Sequence, residues 1–176
     1  MGILLAFSPF VVFAIVDRLA GPLEGLVAGA LVSAILIVRE RFILHHAAKI
    51  LEVGTFVLFA GLAAYVALKN PDWSIITVRL LVDSGLLVVV LFSMLIGQPF
   101  TLQYAREETE PALWGNPEFV RTNYVIAAVW ALAFLALVLA DLVMLTMPEI
   151  PVRFGIIVTV LALLAAVKFT AWYPDR

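Results

Sequence analysis

The stretch from Thr122 to Leu145 reads TNYVIAAVWALAFLALVLADLVML, and it carries no charged residue before Asp141. About 20 mainly apolar residues let one α-helix cross the hydrocarbon layer of a bilayer, where the helix satisfies its own backbone hydrogen bonds. The whole chain has this character, since 64% of its 176 residues are hydrophobic and 14% are charged, with a mean hydropathy of +1.11. The sequence therefore predicts an all-α fold, a polytopic transmembrane helical bundle.

Charged residues, prolines and glycines divide the rest of the chain into further apolar runs. We predict six membrane-spanning helices, at about 3–16, 22–38, 47–68, 75–96, 122–145 and 152–171. The first run has no Lys or Arg before it and leads into Gly21-Pro22, so a helical hairpin is expected rather than a signal peptide. No charge-rich linker interrupts the pattern, which predicts a single integral membrane domain over residues 1–176 with a cytoplasmic loop at 97–121.

The distribution of Lys and Arg between the loops predicts the orientation in the membrane. One side carries seven of them, Arg39, Arg41, Lys49, Arg106, Arg121, Lys168 and Arg176, and the other carries four, Arg18, Lys69, Arg79 and Arg153. The side richer in positive charge is the cytoplasmic one. Both termini are therefore expected in the cytoplasm.

Several chemistries find no support in the composition. Cysteine is absent, which removes disulfides and thiolate chemistry, and the net charge of -2 gives no basic footprint for nucleic acid. His45 and His46 are adjacent, and adjacent helical positions do not face one metal ion. No Ser-His-Asp set or glycine-rich phosphate loop is present. The sequence predicts no catalytic residue, no cofactor and no metal site.

Small residues recur at intervals of four along the second predicted span. Gly21, Gly25, Gly29 and Ser33 form one nearly flat helix face. In lipid, small residues allow the close backbone approach that holds helices together. We expect this face to pack within the protomer, and a homodimer seam is the alternative.

Ionisable residues inside spans are the usual candidates for function in a membrane protein. Arg79 and Asp83 lie four residues apart on the fourth span and are expected to pair, while Asp141 lies near the end of the fifth. A small transporter or channel would use Asp83 and Asp141, with Glu52, as proton or cation sites. The simpler interpretation gives these residues no transport role. Arg79 and Lys168 then extend to the membrane–water interface, and the acids lie close to helix ends.

The loop at 97–121 is the longest soluble segment. Phe100 and Tyr104 are one turn apart, which predicts a short interfacial helix. A contact surface is expected from Pro99, Phe100, Tyr104, Arg106, Glu107 and Trp114. The alternative is a lipid-active enzyme that holds a headgroup between Tyr104, Arg106 and Trp114.

The order of several short motifs resembles the intracellular septation protein A family of bacterial inner-membrane proteins. The motifs are Ser8-Pro9-Phe10-Val11-Val12-Phe13, Arg39-Glu40-Arg41, Asn70-Pro71-Asp72-Trp73, Gly97-Gln98-Pro99-Phe100, and Asn123 followed by Trp130, Ala131 and Phe134. The resemblance covers nearly the whole chain. The chain departs from the family in the longer interval from Asn123 to Trp130 and in an expanded loop after Phe100, as a sister family would.

The resemblance implies a role in cell division and envelope maintenance without catalytic activity. The expected partners are membrane lipids and other inner-membrane division or envelope proteins. The loop at 99–117 and the basic turn from Arg39 to Lys49 are the expected cytoplasmic contact surfaces.

Overall fold

The computed structural model describes residues 2–175, and every regular element within this range is helical. The α-helices are α1 (Gly2–Ala6), α2 (Ser8–Ala20), α3 (Pro22–Val38), α4 (Ile50–Lys69), α5 (Ile75–Leu95), α6 (Phe100–Glu107), α7 (Pro117–Thr146) and α8 (Val152–Trp172). A π-helical turn follows α3 at Arg39–Ile43, and 3-10 turns occupy Pro111–Leu113 and Tyr173–Asp175. The predicted all-α architecture is confirmed.

Within residues 2–175, four helices are long and apolar enough to cross a membrane, namely α4, α5, α7 and α8. They correspond to the last four predicted spans. The first predicted span is instead divided, because α1 ends at Ala6 and Pro9 lies in the first turn of α2. With 13 residues α2 is only about 20 Å long, whereas 17-residue α3 lies at the lower limit for a span. Six crossings therefore stay a prediction.

Local sequence explains where the helices begin and end. Gly21 has a φ of 122°, which a side chain would disfavour, and it lets the chain turn before Pro22 opens α3. Asn70 ends α4 in the left-handed conformation. The side chain of Asn116 accepts a hydrogen bond from the Glu118 amide at 2.9 Å and caps α7.

The chain divides into two compact units, and the boundary falls one turn into α5, between Val78 and Arg79. In the first, called unit 1, α2 packs against α3 and α3 against α4. The phenyl ring of Phe59 on α4 meets those of Phe10 and Phe13 on α2 at centroid distances of 5.1 and 5.4 Å. The prediction of a single domain stays a prediction.

The small-residue face of α3 provides the close packing in unit 1. A Cβ atom added to Gly25 would lie 2.8–2.9 Å from atoms of Asp17 on α2, two of which belong to its backbone. A Cβ added to Gly29 would lie 2.9 Å from the Phe59 ring on α4. Ser33 is buried and donates to the Gly29 carbonyl at 2.8 Å. Because Gly25 and Gly29 face neighbours in the same chain, this face packs within the protomer rather than forming a homodimer seam.

The second unit, called unit 2, packs α7 against α8 and α6 against α7. Trp130 on α7 is buried and donates from Nε1 to the Thr170 hydroxyl on α8 at 2.9 Å. Its ring also meets those of Phe134 and Phe100. At 30 residues α7 is about 45 Å long, which exceeds the roughly 30 Å thickness of a hydrocarbon layer.

Candidate functional site

Three ionisable side chains meet inside unit 2, near the end where α5 starts and α7 stops. Arg79 lies one turn into α5, Asp83 follows one turn later, and Asp141 lies just over one turn before the end of α7. The Nη2 atom of Arg79 is 3.5 Å from Oδ1 of Asp141. Asp83 interacts electrostatically with both. We call these residues the Arg79 cluster.

Within the Arg79 cluster Asp141 is enclosed, whereas Arg79 and Asp83 are half-buried. Asp141 is 0% exposed. Among the described residues, no donor forms a hydrogen bond of normal length and angle with either of its carboxyl oxygens. Gly155 on α8 lies against Met144 and near the Arg79 guanidinium, so the residue that α8 presents at this level is uncharged. Arg79 keeps 20% of its side chain exposed.

The sequence identified these three residues but expected a different partner. It predicted that Arg79 pairs with Asp83 on its own helix, and these two do interact electrostatically. The structure adds Asp141 of α7, whose Oδ1 lies 3.5 Å from the guanidinium. The pair is therefore interhelical, because the arginine side chain reaches across the helix interface. Lys168 is exposed at the other end of α8 and does not belong to the cluster.

A second group of charges is buried in unit 1, around the connection from α3 to α4. Glu40 lies in the π-helical turn, and its Oε2 atom is 2.9 Å from Nζ of Lys49 and 3.4 Å from Nδ1 of His46. Arg39 approaches the other Glu40 oxygen at 3.7 Å, and Lys49 lies 3.7 Å from Glu52. We call this group the Glu40 cluster.

The prediction of an exposed basic turn from Arg39 to Lys49 fits residues 41–48, which are exposed, but is wrong for Lys49, which belongs to the Glu40 cluster. Lys49 is only 3% exposed, Glu40 6% and Glu52 4%, so these groups stabilise one another inside the protein. Arg41 and Phe42, within the same connection, are exposed. The acid at position 40 among basic residues was the available signal, but nothing in the sequence showed that the chain folds back so that Lys49 meets it.

The connection from α5 to α7 is held in place by buried contacts of α6. Thr101 donates to the Asn123 carbonyl of α7 at 2.7 Å, and the Phe100 ring meets Trp130 edge-on at 6.4 Å. Phe100 is 0% exposed and Tyr104 6%, and Pro99 is also buried. The short helix is confirmed, but these three residues do not belong to a contact surface. They form the support beneath it.

The remainder of that connection is exposed and internally ordered. The Arg106 guanidinium lies 5.7 Å from the Trp114 ring centre and donates to Gln98 at 3.3 Å. The Trp114 indole donates to the Thr109 carbonyl at 3.1 Å. Of the predicted surface, Glu107 and Trp114 are exposed and Arg106 is half-buried. Because Tyr104 is buried, Tyr104, Arg106 and Trp114 do not together line an open site that could hold a lipid headgroup.

Replacing Ser93 by alanine is expected to loosen α6. Ser93 is buried, its hydroxyl donates to the Val90 carbonyl at 2.6 Å, and it accepts from the Phe100 amide at 3.1 Å. Its loss removes this hydrogen bond from the buried amide, which costs about 1–3 kcal/mol. Hydrogen exchange followed by mass spectrometry should show faster exchange across α6. The matched variant Ser74→Ala, at an exposed hydroxyl before α5, should leave α6 unchanged, and unchanged α6 exchange in Ser93→Ala would contradict the prediction.

Comparison with known proteins adds no assignment. No family model matches the chain, and no curated protein or solved structure matches it. The likeness to septation proteins therefore depends on the sequence motifs alone, and function has to be argued from the geometry.

Proposed function

We propose that this chain is a non-catalytic, multi-pass protein of the bacterial inner membrane that acts in cell division and envelope maintenance through protein contacts. The septation-family motifs suggest the process. The observation that carries a contact role is the α5–α7 connection, in which a buried helix supports an exposed and ordered tip. The tip is the segment from Glu107 to Glu118.

The support restrains the tip before any partner binds. The hydrogen bonds of Ser93 and Thr101 fix α6 to α5 and α7, and the Asn116 cap fixes the start of α7. A surface that is already ordered loses less conformational entropy on binding than a flexible loop does. This arrangement therefore favours a docking role over a plain connector.

The composition of the tip indicates the chemistry of the partner. Trp114 is 38% exposed, and tryptophan is among the residues that dominate binding energy at protein interfaces. Glu110 and Glu118 are exposed on the same segment. Such a surface fits a basic segment with an apolar pocket, and the excess of Lys and Arg on this side supports a cytoplasmic location.

Reversing the charge of the tip, with Glu110→Lys and Glu118→Lys together, is expected to abolish partner recruitment. A basic partner would then meet like charge, which lowers association. Proximity labelling from the chain, in cells that lack the wild-type copy, should lose division proteins, and cells should lengthen as in the deletion strain.

The control for this variant is Glu149→Lys, an exposed acid after the opposite end of α7, which should behave as wild type. Membrane levels of each variant are compared by immunoblot. Normal cell length and envelope integrity in the deletion strain, with no division protein labelled by the wild-type chain, would eliminate the proposal.

A second candidate, a small proton-coupled transporter, is favoured by one observation. Asp83 and Asp141, which such a function would use, interact inside unit 2. Transport additionally requires that these acids take up and release a proton within the membrane.

A further inference from the structure

The charges of the Arg79 cluster do not balance when both acids are ionised. Two carboxylates and one guanidinium leave one net negative charge. A net charge within a span is costly, by a few kcal/mol on insertion scales, unless it is neutralised. The guanidinium retains its charge in proteins and therefore contributes one positive charge in every state.

No second cation completes the balance. Among the residues that the structure describes, Arg79 is the one cation that interacts with either acid. On α8 the position beside the guanidinium is Gly155, Arg153 is exposed near the start of that helix, and Lys168 is at its far end. The missing positive charge must come from a bound species.

We propose that Asp83 and Asp141 form a proton-binding site, in which the two carboxyl groups together hold one proton and Arg79 balances the remaining carboxylate. Binding adds one proton to one carboxylate oxygen and makes the cluster neutral. The site would have this property whether or not the chain acts in cell division.

The geometry favours a proton over a metal cation. Arg79 lies 3.5 Å from Asp141, so a metal ion on that carboxylate would be repelled by the guanidinium. A proton needs no coordination shell, and a protonated carboxyl can donate a hydrogen bond to its neighbour.

Infrared spectroscopy of the full chain in lipid nanodiscs tests the site directly. A protonated carboxyl group has a C=O band separate from those of carboxylates and amides, and the band shifts in D2O when the proton exchanges. At neutral pH and without sodium, the wild type should show such a band, and Asp83→Asn and Asp141→Asn should each lose it. In each variant the remaining acid is balanced by Arg79 and ionises.

Two further variants keep the test decisive. Asp72→Asn, at an exposed acid just before α5, should retain the band. Arg79→Gln should roughly double it, because both acids then need a proton for neutrality. Arg79→Gln also provides a readout if circular dichroism shows that one of the asparagine variants does not fold.

Three outcomes would overturn the proposal. One is the absence of a protonated-carboxyl band in the wild type at neutral pH. Another is persistence of the band in folded Asp83→Asn and Asp141→Asn. The third is loss of the wild-type band on addition of sodium, which would assign the site to a metal cation.

Discussion

Lys49→Met is expected to lower the free energy of unfolding by about 3–5 kcal/mol, the usual effect of removing one partner from a buried ion pair. The Lys49 ammonium group lies between two buried carboxylates, 2.9 Å from Glu40 and 3.7 Å from Glu52. Methionine fills a similar volume but removes the charge. Both buried carboxylates then lose the charge of Lys49, and Glu40 keeps Arg39 and His46 nearby. The measurement is unfolding by sodium dodecyl sulfate in mixed micelles, followed by circular dichroism.

Two variants separate the loss of the ion pair from a general effect of the substitution. Lys69→Met makes the same change at an exposed position at the other end of α4 and should alter stability by less than about 0.5 kcal/mol. Lys49→Met combined with Glu52→Gln should regain part of the loss, since one buried charge is removed with its partner. Equal stability of Lys49→Met and Lys69→Met would show that the Glu40 cluster does not stabilise unit 1.

Gly25→Ala is expected to destabilise the protein by about 1–3 kcal/mol, although alanine normally favours a helix. The added Cβ would lie 2.9 Å from the backbone nitrogen and Cα of Asp17, so α2 has to move away from α3. A flexible side chain could rotate aside, whereas a helix backbone cannot. The same unfolding titration measures the effect.

The matched control is Gly61→Ala on α4, where an added Cβ meets no atom within 4 Å. With no clash, only the helix preference of alanine acts, so this variant should be neutral or more stable by up to about 1 kcal/mol. If both variants were more stable than the wild type, α2 and α3 would not be in close contact at Gly25.

Helix positions were largely predictable because their signals are local. The second predicted span, 22–38, coincides with α3, and the fourth and sixth differ from α5 and α8 by one residue each. The predicted span begins five residues after the first residue of α7, since Pro117 and the polar turn after it precede the apolar run. The first predicted span did not place the break between α1 and α2, because the apolar run continues through Phe7.

The candidate site was only partly predictable. Charged residues stand out in apolar runs, which is why Arg79, Asp83 and Asp141 were recognised. Their grouping was not predictable, because α5 and α7 are separated in sequence and no local pattern fixes which faces meet. For the same reason Phe100 and Tyr104 were expected on a surface, although α7 covers the face of α6 that carries Phe100.

The sequence by itself determined that this protein is a helical membrane protein. The hydrophobicity of a 20-residue run, and the Pro, Gly and Asn residues that bound it, are local features, and each of them affects a single helix. Only the tertiary structure decided which charges neutralise one another and which glycines contact a neighbour. Ion pairs and close packing depend on distances between helices far apart in the chain. Those distances follow from the packing of whole helix faces, and no short stretch of residues encodes them.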